Sequence, residues 1–225
     1  MNIIVKLFPN VVDKSQEFIQ SIFQTLYMVG ISFAISFIIG LALGIVLVVT
    51  RKNGIMQNRF IYFALDKIVN IFRVIPFIIL LAALIPLTRL IVGSAIGTKG
   101  AIVPLVFGTV PFFARQVEAS LLEMDDGVIE AAQSMGNTGI EIIFRVYLVE
   151  SLPSLVRAST ITIISLVGLT AMAGAVGAGG LGDFAIRYGH MRNQIDATYA
   201  TMIVMILFVV LIQWIGNYII KKTSH

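Results

Sequence analysis

Cysteine is absent from these 225 residues, and histidine occurs twice, as His190 and His225. The first absence excludes disulfides, thiolate metal sites and a cysteine nucleophile. The second leaves too few imidazoles for a histidine-built metal or acid–base centre. Charge is scarce as well: Asp, Glu, Lys and Arg make up 12% of the chain against 58% hydrophobic residues, where a soluble globular domain carries about 25% and about 45–50%. With a mean hydropathy of +0.96, the chain reads as a bilayer protein. Its net charge of +4 comes from 16 basic and 12 acidic side chains. The basic ones are scattered singly or in pairs between apolar runs, as topology markers rather than a phosphate-binding face, so no nucleic-acid partner is expected. In the opening MNIIVKLFPN, Lys6 follows the apolar residues and Pro9 interrupts them. No cleaved signal is expected there, and the first long apolar segment is expected to stay in the membrane.

Crossing a hydrocarbon core of about 30 Å takes roughly 20 helical residues. Five segments qualify. Residues 18–50 carry no charge. A second span reaches sufficient length only if its helix starts near Ile68, carries Arg73 at its edge and runs to Thr88. A third is expected from about Gly100 to Ala114, after a loop around Lys99, and residues 158–182 and 197–220 complete the set. Kinks are expected at Pro76, Pro86, Pro104 and Pro111, each of which removes a backbone donor. Gly40 and Gly44 form a small-xxx-small pair, read either as a close helix approach or as glycines common in membrane helices. The fold class is therefore all-α: a polytopic membrane protein of about five transmembrane helices. Ten basic residues, among them Arg51, Lys52, Arg59, Arg115, Arg145 and Lys221, fall on the side reached after odd-numbered spans, against six on the other. That bias places the N-terminus (1–17) outside and the tail (221–225) in the cytoplasm.

The cores of these spans hold no Asp, Glu or His, the residues that ion-coupled transporters need at depth. Asp66, Lys67, Arg73 and Arg157 sit at span ends, where snorkelling accounts for them. No G-x-x-x-x-G-K-[ST] phosphate loop is present, so uphill transport would need nucleotide hydrolysis in a partner chain. Gly177, Gly179 and Gly182 satisfy G-x-G-x-x-G, but they end an apolar span and do not follow a strand, so an extracytoplasmic loop is the reading. No G-x-S-x-G nucleophile elbow occurs either, and no catalytic or metal-ligating residue is assigned.

Residues 115–152 are too polar to span. Seven acids (Glu118, Glu123, Asp125, Asp126, Glu130, Glu141 and Glu150) face only Arg115 and Arg145, a local charge of −5 through residue 150. VIEAAQSMG favours helix, with Asp126 placed to cap it and Gly136 suited to the left-handed residue past its end. Thr138 and Glu141 then make an S/T-x-x-E capping box ahead of Ile140, Ile142, Ile143 and Phe144. Two short helices are expected to meet at an elbow, Gly136–Asn137. A hairpin lying in the headgroups is one reading, but anionic lipid favours Lys and Arg, and a protein partner suits the acids better.

At these residues the sequence resembles the permease subunits of binding-protein-dependent ABC importers, whose signature reads EAA, three residues, Gly, nine residues, an apolar residue, then LP. Glu130, Ala131, Ala132 and Gly136 match, and Val146 and Leu148 follow in register. Val149 stands where the pattern has proline, and Leu152–Pro153 supply a second LP. NIFRVIPFIILL (70–81), TRLIVGSAIG (88–97) and LVGLTAMAGAVGAGGLGDF (166–184) are similar to the methionine-importer branch. The resemblance implies a cytoplasmic coupling helix, with Glu130, Ala131, Ala132, Gly136, Asn137, Thr138 and Glu141 seated against an ATPase. It implies a homodimer of this chain in the bacterial plasma membrane, two ATP-binding subunits that hold ATP and Mg, and an extracytoplasmic methionine-binding lipoprotein. This chain itself would carry no cofactor and no enzymatic activity. Thr170, Met172 and Gly174 are candidate pathway-lining residues, with ordinary helix packing as the competing account. Transport of another amino acid or short peptide, a passive facilitator and a structural anchor remain as alternatives. Only the first of these explains the acidic elbow.

Overall fold

Prolines and glycines set several helix boundaries in the structure, a computed structural model that describes residues 6–223. The helices are α1 (Pro9–Asp13), α2 (Ser15–Thr50), α3 (Arg59–Val74), α4 (Phe77–Ala83), α5 (Ile85–Val92), α6 (Gly97–Leu122), α7 (Asp126–Ser134), α8 (Gly139–Ile142), α9 (Leu148–Glu150), α10 (Leu152–Ala173), α11 (Gly180–Phe184) and α12 (Ile195–Thr223). No strand occurs among the described residues. Four helical runs there are long and apolar enough to cross a membrane: Ser15–Thr50, Gly97–Leu122, Leu152–Ala178 and Ile195–Thr223.

The second expected span differs from its expected form. A single helix from Ile68 to Thr88 does not exist, because Pro76 has no N–H to donate and holds Ile75 in an extended conformation (φ −71°, ψ 121°). The segment divides into α3, α4 and α5, with Pro86 in the first turn of α5, where a missing donor costs nothing. The third span starts at Gly97 rather than Gly100 and absorbs Pro104 and Pro111 within one continuous helix. It also runs on to Leu122, so Arg115 and Glu118 lie on the helix and the connecting loop begins eight residues later than the sequence suggests. The fourth run ends at Ala178 instead of Gly182, because Val176 and Gly177 leave helical geometry. Of the tail 221–225, Lys221–Thr223 continue α12, while Ser224 and His225 lie outside the described residues, as do Met1–Val5 of the expected N-terminal segment.

Two compact units are present. The first comprises the described residues of Met1–Ala34, Pro76–Phe107 and Ile163–Ile212. Within it Val11, Phe184, Tyr188, Ala197 and Ala200 form a core flanked by Phe8 and Phe18. The Asn10 backbone and side-chain amides both donate to the Asp196 carboxylate, at 2.9 and 2.8 Å, which ties α1 to the start of α12.

The second unit comprises the described residues of Ile35–Ile75, Gly108–Thr162 and Gln213–His225. Its core joins Val48 and Val49 of α2, Phe113, Val117 and Leu121 of α6, Ile129 and Ala132 of α7, Ile142, Tyr147, and Leu155 and Ala158 of α10. Gly40 and Gly44 are where α2 and α6 meet: a methyl group on Gly44 would lie 2.5 Å from Val117 Cγ1 and 2.8 Å from the Ala114 carbonyl oxygen. The close-approach reading of this pair is therefore the correct one. Gly44→Ala is expected to destabilise the protein by about 2 kcal/mol, a typical overpacking cost, read as a lowered thermal unfolding midpoint in detergent. An unchanged midpoint would mean that the helices separate at no cost.

Candidate functional site

The acidic loop is built from local signals. Helix α7 is capped by Asp125, one residue earlier than the Asp126 expected: the Asp125 carboxylate accepts from the Gly127 amide at 2.7 Å. Asp126 lies in the first turn instead, favourable for the helix dipole and 3.8 Å from Arg51. Ile129 and Ala132 point into the core of the second unit, while Glu130, Ala131 and Gln133 face outward. At the far end Gly136 is left-handed (φ +80°). Its amide donates to the Gln133 carbonyl (2.9 Å) and the Asn137 amide to the Ala132 carbonyl (3.2 Å), the paired bonds of a Schellman stop. The Asn137 side chain adds a third bond, to the Ala132 carbonyl at 3.1 Å.

The next helix begins two residues on. The Thr138 amide and hydroxyl donate to the Glu141 carboxylate at 2.8 and 2.9 Å, and the Glu141 amide donates back to the Thr138 hydroxyl at 3.4 Å. The capping box is thus complete. The amide and hydroxyl of Thr138 hold the Glu141 carboxyl below the usual carboxylate range, so at neutral pH it acts as an acceptor only. Ile142 and Tyr147 anchor this helix in the core, with one wide π-helical turn (Ile143–Tyr147) between them. Where the family pattern has proline at 149, the chain stays helical, and the break falls at Ser151, with Pro153 in the first turn of α10.

The result is a rigid bent pair rooted at both ends. Ser154 at the start of α10 donates to Glu123 just past α6 at 2.7 Å, and Ser120 donates to the Ser154 carbonyl at 3.2 Å. The pair exposes Met135 (75%), Ile140 (63%) and Phe144 (64%), and Glu130 is exposed as well. Exposed apolar side chains of this size, held on a braced backbone in an acidic segment, suit a protein partner.

The model of the family described as binding-protein-dependent transport system inner membrane component matches residues 40–225. The chain belongs to that family. It is 47% identical over 202 residues to the "Probable D-methionine transport system permease protein MetI" of Vibrio cholerae, covering 90% of each chain. It is 44% identical over 214 residues to the "Methionine import system permease protein MetP" of Bacillus subtilis, covering 95% of this chain and 96% of that one. Among solved structures, a chain of the inward-facing MetNI methionine ABC transporter superposes with a TM-score of 0.93 at 45% identity, over 95% of this chain and 99% of that one.

The three candidate pathway residues of this family member do not share one environment. Thr170 is buried and donates to the Val167 carbonyl at 2.7 Å, Met172 is exposed, and Gly174 is buried in a turn. That turn is where the glycine run acts. Gly177, Gly179 and Gly180 take positive φ (+92°, +82° and +79°), and the chain folds back so that a methyl group on Gly182 would lie 2.3 Å from the Ala171 carbonyl oxygen. The G-x-G-x-x-G spacing is thus a packing device. Two residues that sequence reasoning missed hold it in place: the Gln24 side-chain carbonyl accepts from the Gly180 amide at 2.8 Å, and the Thr25 hydroxyl from the Leu181 amide at 2.9 Å.

A second cluster also went unread. Arg115 on α6 bonds to Asp66 and Asn70 of α3 and to Glu118 one turn further along its own helix. The Arg115 side chain is 17% exposed and that of Glu118 only 8%. The cluster clamps α3 to the helix that leads into the elbow. The only sequence signal was the i, i+3 spacing of Arg115 and Glu118. No group of three or more His, Asp or Glu side chains among the described residues is placed to hold a metal ion.

Proposed function

We propose that this chain is the membrane-spanning subunit of an ATP-driven importer and forms the pathway for methionine across the bacterial plasma membrane. Two copies meet at a shared axis, two ATP-binding subunits bind on the cytoplasmic side, and a methionine-binding lipoprotein delivers substrate from outside. The N-terminus lies outside and the C-terminus in the cytoplasm. The observation that carries this reading is the elbow at Gly136–Asn137. Its two helices bury Ile129, Ala132 and Ile142 in one core with α2, α6 and α10, so a push on the outer surface is delivered to the bases of those helices as a rigid-body motion. A loop tethered only by hydrogen bonds would absorb the push. ATP and Mg belong to the partner subunit. This chain supplies the lever.

Substrate choice rests on the likeness to methionine permeases of two organisms, each aligned over at least nine-tenths of this chain. The deciding experiment is ATP-driven uptake of labelled methionine into vesicles that hold the complete complex, with other amino acids as competitors. Uptake that needs ATP and is blocked by unlabelled methionine is expected. Uptake without ATP would make the chain a facilitator, and competition by a different amino acid would move the substrate. We also propose that the helix around Thr170, Met172 and Gly174 lines the pathway. Cysteines introduced singly at these positions should cross-link between copies, strongest at exposed Met172, and the absence of any cross-link would remove them from the pathway.

A further inference from the structure

Immediately past Thr50, where the charge-free stretch of α2 ends, the chain folds back on itself before α3 begins. The Met56 amide donates to the Val49 carbonyl (2.9 Å), the Asn58 amide to the Thr50 carbonyl (3.0 Å) and the Gly54 amide to the Arg51 carbonyl (3.0 Å). The Gln57 side chain accepts from the Asn53 amide at 3.2 Å, and Asn58 caps α3 by accepting from Phe60 and Ile61. This braced turn and the first turn of α3 enclose a cavity of about 510 Å³, lined by Lys52, Gln57, Arg59, Tyr62 and Phe63.

The charge in that cavity is unbalanced. It has two cations and no acid, and among the described residues neither Lys52 nor Arg59 forms an ion pair. Asp66 on α3 is paired with Arg115, and Asp126 with Arg51. Two cations lining one cavity without a counter-charge favour an anion, and the aromatic walls favour one with an apolar body. Position narrows the choice. Helix α3 exposes Phe60, Phe63, Lys67, Ile71 and Val74 along one side, with Lys67 set over the Phe63 ring at 5.3 Å. That stripe suits the lipid-facing side of a helix that begins the second crossing, and Lys52 and Arg59, just past the charge-free stretch of α2, stand where it leaves the headgroups.

We propose that the cavity binds the phosphate of an anionic lipid headgroup. Lys52 and Arg59 donate to the phosphate oxygens, and Tyr62 and Phe63 lie against the glycerol and the first acyl carbons. A zwitterionic lipid carries its own ammonium into the same space and is repelled, so the site selects by net charge. The bound lipid holds α3 at a fixed depth. Because α3 is tied to α6 through Asp66, Asn70 and Arg115, lipid composition bears on the helix that leads into the elbow. The inference depends only on α2 ending at the bilayer boundary, so its failure would leave the importer reading untouched.

The test is native mass spectrometry of the full-length chain in detergent micelles, with phosphatidylglycerol, phosphatidylcholine or inorganic phosphate added. Retained phosphatidylglycerol is expected in clear excess over phosphatidylcholine. Lys52→Gln with Arg59→Gln is expected to lower that retention by roughly thirty-fold, the product of two basic contacts, and to leave phosphatidylcholine unchanged. Both side chains are exposed and unpaired, so the double variant should stay folded and monodisperse. Arg73→Gln, near the far end of the same helix and outside the cavity, should retain phosphatidylglycerol as the unaltered chain does. Equal retention of the two lipids, an unchanged double variant, or an equal loss with Arg73→Gln would each overturn the site. Displacement of the lipid by equimolar inorganic phosphate would overturn the lipid as its occupant.

Discussion

Gly136→Val is expected to weaken association with the ATP-binding subunit by about ten-fold to a hundred-fold, while membrane insertion and expression stay unchanged. Nothing lies within 4 Å of the position a Cβ would take at Gly136, so the substitution meets no steric clash. What it meets is the backbone. At φ +80° a β-branched residue pays roughly 1–3 kcal/mol of strain, and relief comes from opening the Schellman stop and losing the bonds to Gln133 and Ala132. Helix α7 and the capping box at Thr138 would then no longer hold a fixed angle. Gly136→Asn provides the discriminating control, because asparagine tolerates the left-handed region and should restore most of the association. Co-purification with the ATPase checks both, and normal association of the valine variant would remove the elbow from the coupling role.

Arg115→Met carries the largest expected cost to stability. It leaves Asp66 and Glu118 together in a site where the Glu118 side chain is only 8% exposed, and removing one partner from a buried ionic cluster costs about 3–5 kcal/mol. Asp66 and Asn70 would lose their hold on α6, so α3 should loosen as well. The damage is uncompensated charge rather than lost volume. Adding Asp66→Asn and Glu118→Gln to Arg115→Met should therefore recover most of the loss. Arg115→Lys should recover only part, because a single ammonium cannot bond to three side chains with the geometry of a guanidinium. Thermal unfolding in detergent reads all three. A triple variant no better than Arg115→Met would show that packing, not charge, is the basis.

The features legible in the sequence were those whose partners lie a few residues apart. The Thr138–Glu141 box and the Gly136 stop each close within one turn of chain, so residue type and spacing suffice to place them. Asp125 took the cap from Asp126 because two adjacent acids offer the same chemistry and only the backbone angle decides between them. A kink at Pro76 was legible from its missing donor, but not that the helix ends there, which follows from the extended backbone of Ile75 that precedes the proline. The Arg115 cluster joins residues 49 positions apart and the Gln24 and Thr25 caps reach across 156. No local pattern marks such pairs.

By itself, then, the sequence determined that this chain lives in a bilayer, that it carries no G-x-x-x-x-G-K-[ST] phosphate loop, and that its acids gather in one bent loop. Those conclusions follow from composition and from contacts within a single turn. The tertiary structure decided which glycines let helices approach and which ones bend the chain, where the charged residues of α3 and α6 find each other, and what roots the elbow in the core. A long-range contact is worth its free energy only once the intervening chain has been ordered. That ordering is a property of the whole fold and is written in no single stretch of residues.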